Sequence, residues 1–260
     1  MLARDFEFAS LDQVLRDGGE TSRLLAVTFD DAFDLIRSGA MEVLDAHGVK
    51  ATTFAITATL DNRDLMWRNK LSAIRALRPE PTVVAAYNAL PGLAPIAGGA
   101  ELMGAAIRWD MTRKDELADA LWAACDMPPL TDFLDEHRPY FTRDGLRAWR
   151  AAGHEVGLHT RTHPDCSVLD ADGVRAEILD PGRELAAELG VESLAFSYTF
   201  GRRLTSALAP MLDEARELHC ALGIRGFSRR GTSPMQLERA SIEIDMSFSV
   251  YGKALLGRPR

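Results

Sequence analysis

The sequence predicts an α/β fold on a parallel sheet, and two observations carry that reading. Near the start, an apolar β-branched run is followed by a helical pattern and then by a second such run. The same alternation resumes in the last half of the chain after a long interruption. Strand, helix and strand in that order make a parallel pair with a right-handed crossover. Repeated βα units give a sheet that is either closed as a barrel or open and doubly wound. In both, ligands bind where the C-terminal strand ends open into loops.

Leu24 to Phe29 (LLAVTF) reads as a buried strand that stops at Asp30 and Asp31. A helix follows from about Asp34 to His47, with Leu35, Ile36, Met41, Val43 and Leu44 on one side and Gly48 at its C-terminal cap. Val49 to Thr57 is the second strand. The segment at about 61–139 interrupts the rhythm. It reads as a mainly helical insertion, with helices at Leu65 to Leu77 and Lys114 to Cys125 joined by a Pro- and Gly-rich stretch from Pro79 to Gly104. Alternation then resumes with a helix at Arg143 to Ala152, a strand at His154 to His159 and a helix at about Ala171 to Leu189. A strand at Ser193 to Ser197, a helix at Thr205 to His219 and strands near Leu222 to Phe227 and Ile242 to Ile244 complete the pattern.

The chain has 260 residues, 47% of them hydrophobic, and reads as a single domain over 1–260. Its 30 Lys and Arg against 38 Asp and Glu give a net charge of -8, and no basic stripe offers a nucleic-acid footprint. Arg4, Asp5 and Glu7 stand where a signal peptide would be apolar, so a cytoplasmic location is expected. Val83 to Ala100 is broken by Pro91, Gly92, Pro95, Gly98 and Gly99, whereas a membrane span needs roughly 20 uninterrupted apolar residues. Cys125, Cys166 and Cys220 form no CxxC pair and are expected to be reduced and buried.

Three polar clusters follow strands: Asp30 and Asp31, His159 with His163, and Tyr198 to Gly201. They should converge on one rim of the sheet. Pro164 argues against a helix at HTRTHP and for a tight loop from which both imidazoles reach one ion. Two histidines and one carboxylate make a facial set with open positions, the pattern of a catalytic metal site. The bland reading is also available: two ordinary histidines, and an aspartate capping the following helix.

In combination these residues resemble the polysaccharide deacetylases of carbohydrate esterase family 4. Thr28-Phe29-Asp30-Asp31 match the family's first motif, with Ala32 where a glycine usually follows. His159-Thr160-Arg161-Thr162-His163-Pro164 match the second in full, and Ala152 to Gly157 resemble its approach. The resemblance implies a distorted (β/α) barrel of seven strands. It implies that Asp31, His159 and His163 hold a divalent metal, generally Zn2+, and that Asp30 is the general base on the metal-activated water. The third motif places an aromatic residue's N–H against the oxyanion, which assigns Phe200 here, although Ser197 replaces the motif's arginine and Thr199 its proline. The tail has no counterpart to the family's late histidine. That leaves His219, or proton return through Asp30, as the source of the acid, and Arg239 as a candidate for the missing arginine.

The expected function is removal of an N-acyl group, most simply acetyl, from an amino sugar or sugar-containing small molecule or oligosaccharide. Two other classes compete: a catalytically inactive sugar-binding or scaffold protein that keeps the metal site, and an Fe(II) oxygenase with the same ligand set. Trp67, Trp109 and Trp122 read as core residues that in another arrangement would form a sugar-stacking lid.

Overall fold

The computed structural model describes residues 5–18, 20 and 23–242. Strand β1, Glu7–Phe8, leads into helix α1, Leu11–Asp17, which starts in a Ser10/Gln13 capping box and ends at Gly18 with φ +59°. Sequence reading did not anticipate either element. Strand β1 pairs in parallel with β2, Leu24–Leu25, in a small two-stranded sheet. The expected strand over 24–29 is therefore cut at Ala26, because its second half, β3 at Val27–Phe29, has a different partner.

The main sheet is parallel throughout and runs β3, β4 (Ala51–Ala55), β5 (Glu155–Leu158), β6 (Leu194–Ser197), β7 (Leu218–Gly223) and β8 (Leu237–Glu238). Each strand lies beside its successor, so the sheet winds one way as a curled half-barrel and is not doubly wound. Among the described residues it has six strands, one fewer than the resemblance implies. Ile242 is exposed and outside any strand, and the rest of the expected strand at Ile242 to Ile244 lies outside the described residues.

The concave side is filled by Phe54, Ala195, Cys220 and Leu222, with Leu11 of α1 against them. Gly157 is required there, since a Cβ would stand 2.5 Å from the Phe54 ring. Glu155 at the start of β5 accepts the N–H groups of Leu11 and Asp12 at 3.0 and 3.2 Å and so ties α1 to the sheet.

The convex side packs against α2 (Met41–Ala46), α8 (Arg143–Ala151), α9 (Ala171–Val174), α10 (Asp180–Leu189) and α11 (Pro210–Asp213), which enclose Trp149, Leu158, Ile178 and Leu185. Between β4 and β5 lie α3 (Trp67–Leu77), α4 (Glu80–Asn88), α5 (Leu102–Ala106), α6 (Lys114–Ala124) and α7 (Leu130–His137) around a separate apolar cluster. Trp67, Trp109 and Trp122 are buried in it, as core packing requires. Within the stretch expected to be mere connection, α4 forms because Pro79 and Pro81 stand at its start, where proline's missing N–H costs nothing. No helix among the described residues is long and apolar enough to cross a membrane.

Two helical expectations fail in an instructive way. A π-helical turn at Ile36–Ala40 shifts the phase ahead of α2, so Ile36 and Leu44 are buried while Leu35 and Val43 face out at 75% and 59% exposure. The expected helix from Thr205 to His219 shrinks to α11, and Leu218 to Gly223 form a strand where Leu222 to Phe227 had been expected. Leu218, Cys220, Ala221 and Leu222 are all buried, and an apolar run of that length reads equally as helix or strand.

Candidate functional site

Asp30 and Asp31 leave the C-terminal end of β3 through a tight turn in which Asp31 and Ala32 have φ of +68° and +49°. The Ala32 carbonyl accepts the N–H of Phe141 at 2.9 Å, and the Asp34 N–H reaches the Pro139 carbonyl at 2.8 Å. That conformation suits glycine, yet Ala32 is fully buried and its methyl joins the core.

The second loop departs from β5, where the N–H of His159 bonds the Ala55 carbonyl at 2.8 Å. Thr160 and His163 have φ of +67° and +62°, and the His163 N–H caps onto Thr160 Oγ1 at 2.9 Å. Glu177 braces the loop from outside: its carboxylate accepts the N–H groups of Arg161 and Thr162 at 3.1 and 2.8 Å and the Thr162 hydroxyl at 2.7 Å. The Glu177 carbonyl also accepts the Arg161 N–H, at 2.9 Å. Four residues on stands Pro181, whose missing N–H leaves that carbonyl without its α-helical donor, at a π-helical turn spanning Arg175–Leu179. Buried Lys114 donates to the Thr162 hydroxyl at 2.7 Å, and Trp67 Nε1 to the His163 carbonyl at 2.9 Å.

These two loops bring Asp31, His159 and His163 together. Asp31 Oδ1 lies 3.5 Å from His159 Nε2 and 3.6 Å from His163 Nε2, and one ligand atom from each of the three falls within 4.8 Å of the others. His159 Nδ1 donates to the Ser197 carbonyl at 2.8 Å, which turns Nε2 towards Asp31. Asp31 Oδ1 is buried and has no hydrogen-bond partner. A buried carboxylate oxygen facing two imidazole nitrogens without a donor is the environment a divalent cation satisfies, so the residues fit the metal expected from sequence. His163 is held neutral, the ligating form, by burial and then by the charges of His159 and Arg68.

Asp30 has different surroundings. Arg239, just beyond β8, spans Asp30 Oδ1 and Oδ2 at 2.8 and 2.5 Å, Thr28 Oγ1 at 2.7 Å and Ser197 Oγ at 2.5 Å, with its guanidinium over the Phe54 ring. The small Ser197 leaves the room that this arginine fills. Burial works against the Asp30 charge, but the attraction of His159 and Arg239 and the hydrogen bonds from Arg239 and Ser197 outweigh it and hold the pKa below the usual carboxylate value. For Asp31, burial prevails over the attraction of His159, and repulsion from Asp30 adds to it, so its carboxyl is pushed up to about 6.

The third loop carries Phe200, with φ +54°, and Gly201, with φ +63°, where a Cβ would stand 2.2 Å from Ile224 Cγ1. Thr199 Oγ1 donates to the Pro164 carbonyl and contacts Cys166 Sγ, which stitches the third loop to the second. The Phe200 ring meets His163 edge-on at 4.7 Å. Asp31, Ala32, Thr160, His163 and Phe200 are five of the nine non-glycine residues with positive φ among those described, so backbone strain concentrates here. Together the loops and α3 surround a cavity of about 340 Å³ lined by Asp30, Asp31, His159, His163, Phe200 and Arg68 among others.

Not every sequence candidate arrives at the site. His219 begins β7, so it belongs to the N-terminal end of the sheet, where it contacts Ser193 and Asp12; it is neither an acid at this cavity nor at a helix C-terminus. Cys166 is fully buried against Thr199, and its thiol is pushed up to about 12 by burial. Cys125 and Cys220 are also free and buried, as expected. His154 is structural, accepting the Ala51 N–H at 3.1 Å and stacking on Trp149. Glu177, Lys114 and Arg68 were not anticipated; the spacing of Pro181 from Glu177 is the one local signal that could have pointed to the first.

A family model described as polysaccharide deacetylase matches residues 112–220, a span that includes the second and third loops. None of the curated proteins matches the chain in sequence. Solved structures do match in fold. The Streptococcus pyogenes deacetylase PplD, solved with acetate, is 14% identical with a TM-score of 0.60, over 98% of this chain and 82% of that one. A polysaccharide deacetylase from Bacillus cereus is 12% identical with a TM-score of 0.58, over 97% of this chain but only 57% of its own length. A de-N-acetylase from Aggregatibacter actinomycetemcomitans gives 11% and 0.57, over 97% and 84%. At such identities these likenesses are of fold. The resemblance to polysaccharide deacetylases read in the sequence is met by that family model over residues 112–220 and, in fold, by these structures.

Proposed function

We propose that this divergent relative of the polysaccharide deacetylases is a metal-dependent N-deacylase that removes an acyl group, most simply acetyl, from an amino sugar or a sugar-containing intermediate. One observation carries the reading: a carboxylate held ionised by Arg239 stands beside an unpartnered carboxylate oxygen and two imidazoles in one cavity. Neighbouring carboxylates pushed apart in pKa divide the work of base and ligand.

In this reading Asp31, His159 and His163 would hold a divalent cation, Zn2+ by the family resemblance, which would supply Lewis acidity and acidify water at neutral pH. Asp30 is the base that would take a proton from the attacking water, and Arg239 and Ser197 fix the orientation of its carboxylate. The backbone N–H of Phe200 is assigned to the oxyanion that forms on the amide carbon. Among the described residues the cavity has no histidine besides the two ligands, so Asp30 also returns the proton to the departing amine. The helical segment at about 61–139 is read as an insertion into a single domain, and it supplies the wall formed by Met66, Arg68, Asn69, Ser72 and Met103.

Acetate release from a panel of N-acetyl sugars, with and without chelator, tests this directly. Asp30→Asn should retain metal and lose hydrolysis, and His163→Ala should lose both. An Asp30→Asn protein with full activity would overturn the mechanism. A wild type that binds metal and sugar but releases no acetate would favour the inactive-binder reading.

A further inference from the structure

Among the described residues, Arg68 is the charged cavity residue that the proposed chemistry does not use. It stands in the first turn of α3, half-buried, with its guanidinium 5.0 Å from the Phe200 ring centroid and 6.0 Å from that of Trp67. No hydrogen bond or ion pair engages that guanidinium among the described residues. The contrast with other cations of limited exposure is plain. Arg239 is forked onto Asp30, Arg203 is paired with Glu238, Lys70 with Asp64 and Asp119, and Lys114 with Asp115. Arg68 thus presents unbonded planar donors to a cavity, the geometry that receives carboxylate or phosphate oxygens. Burial lowers its pKa against the pull of Asp31, so the charge is carried at a cost that an anion would relieve.

The surroundings are consistent. The connection after β7 leaves from Ile224, a cavity residue, and returns through an Arg225–Ala240 bridge to Ser241, another. Between them Arg225, Arg229 and Arg230 are exposed, and none has an ion pair among the described residues. In a chain of net charge -8, this is a local cluster of positive charge on a connection whose two ends line the cavity. The charge count inside agrees. Asp30 and Arg239 cancel, a divalent cation on Asp31 leaves one positive charge, and Arg68 adds another.

We propose that the substrate carries an anionic substituent, a phosphate or a carboxylate, beside its N-acylated sugar, and that Arg68 is the residue that recognises it. This rests on the reading of the cavity as an N-deacylase site. The arginines of residues 225–230 draw the anion towards the mouth.

Calorimetric titration of the metal-loaded and the chelator-treated protein with three probes tests it. N-acetylglucosamine 1-phosphate is the phosphate arm, N-acetylmuramic acid the carboxylate arm and N-acetylglucosamine the neutral arm. At least one anionic probe should bind about tenfold or more tightly than the neutral one, in both metal states. Arg68→Gln should reduce the preference at least fivefold, and Arg68→Lys should keep part of it. Equal binding of all three probes, a preference that vanishes with the metal, or one that survives Arg68→Gln would each overturn the proposal. Acetate release separates the two readings. Equal kcat/KM on neutral and anionic sugars sinks the anion site and leaves the deacylase. Arg68-dependent binding with no acetate from any probe sinks the deacylase and leaves the anion site.

Discussion

Asp30 and Asp31 are adjacent in the chain and opposite in electrostatic setting, which makes the acid limb of activity a property of Arg239 as much as of Asp30. The Asp30 carboxyl is held below its ordinary value, so the base stays ionised down to low pH. Replacing Arg239 by Met removes the fork and leaves mainly the attraction of His159 against burial, so that pKa rises. The acid limb of the kcat/KM profile should then move to higher pH, with activity down about tenfold or more near pH 6. A profile that keeps its acid limb while falling uniformly would show that Arg239 only supports the fold. Ala32 poses a smaller question at the same scale. Glycine would relieve about 1 kcal/mol of left-handed strain but lose a buried methyl of similar worth, so Ala32→Gly should alter stability by less than about 1 kcal/mol in denaturant titration. The residues proposed as ligands and base were legible in the sequence because TFDD and HTRTHP are contiguous. The fork from Arg239 was visible only as a suggestion, since its partners Thr28, Asp30 and Ser197 lie far away in the chain and only the curl of the sheet unites them.

At the scale of elements, the second loop depends on a helix that is irregular on purpose. Pro181 and the π-helical turn at Arg175–Leu179 leave the Glu177 carbonyl open to Arg161, and the Glu177 carboxylate covers two more N–H groups of the loop. Glu177→Ala should leave His159 and His163 in place in sequence but poorly fixed in space. Metal affinity measured by chelator competition should fall about 10–100-fold, with a modest loss of Tm. Unchanged affinity would mean that Lys114 and Trp67 suffice to hold the loop. In the third loop, Gly201→Ala adds a Cβ to a left-handed residue 2.2 Å from Ile224, and the expected cost is about 2 kcal/mol or more, read as lowered thermal stability. Strand and helix periodicity located β4, β5, β6, α3, α6 and α8 to within two residues at most ends. It failed where a π-turn shifts the helix phase before α2. It failed again at β7, which begins four residues earlier than expected, so that its first two residues were read as the end of the helix. Neither β1 nor β8, at two residues each, is long enough to show a period.

Across the molecule, the half-barrel formed by the described residues ends at β3 and β8, and side chains join what that sheet leaves open. Arg239 spans from beyond β8 to Thr28 and Asp30 at the end of β3, while Asp31, His159 and His163 would tie β3 to β5 through a cation. Metal loading should therefore stabilise the whole fold as well as the site. The pH dependence has a definite sign. The folded Asp31 carboxyl sits at about 6 against an ordinary 3.8, so without a cation the folded protein retains a proton that the unfolded chain releases. The contribution of Asp31 to stability then falls as pH rises from below 3.8 through about 6. A cation needs the ionised carboxylate and neutral imidazoles, so its stabilisation grows through that same window. Thermal melts with and without chelator should differ by several degrees near pH 7.5 and by much less near pH 5. An equal or larger difference near pH 5 would mean that the cation binds elsewhere, and Asp31→Asn, which should abolish the difference at both pH values, identifies the site.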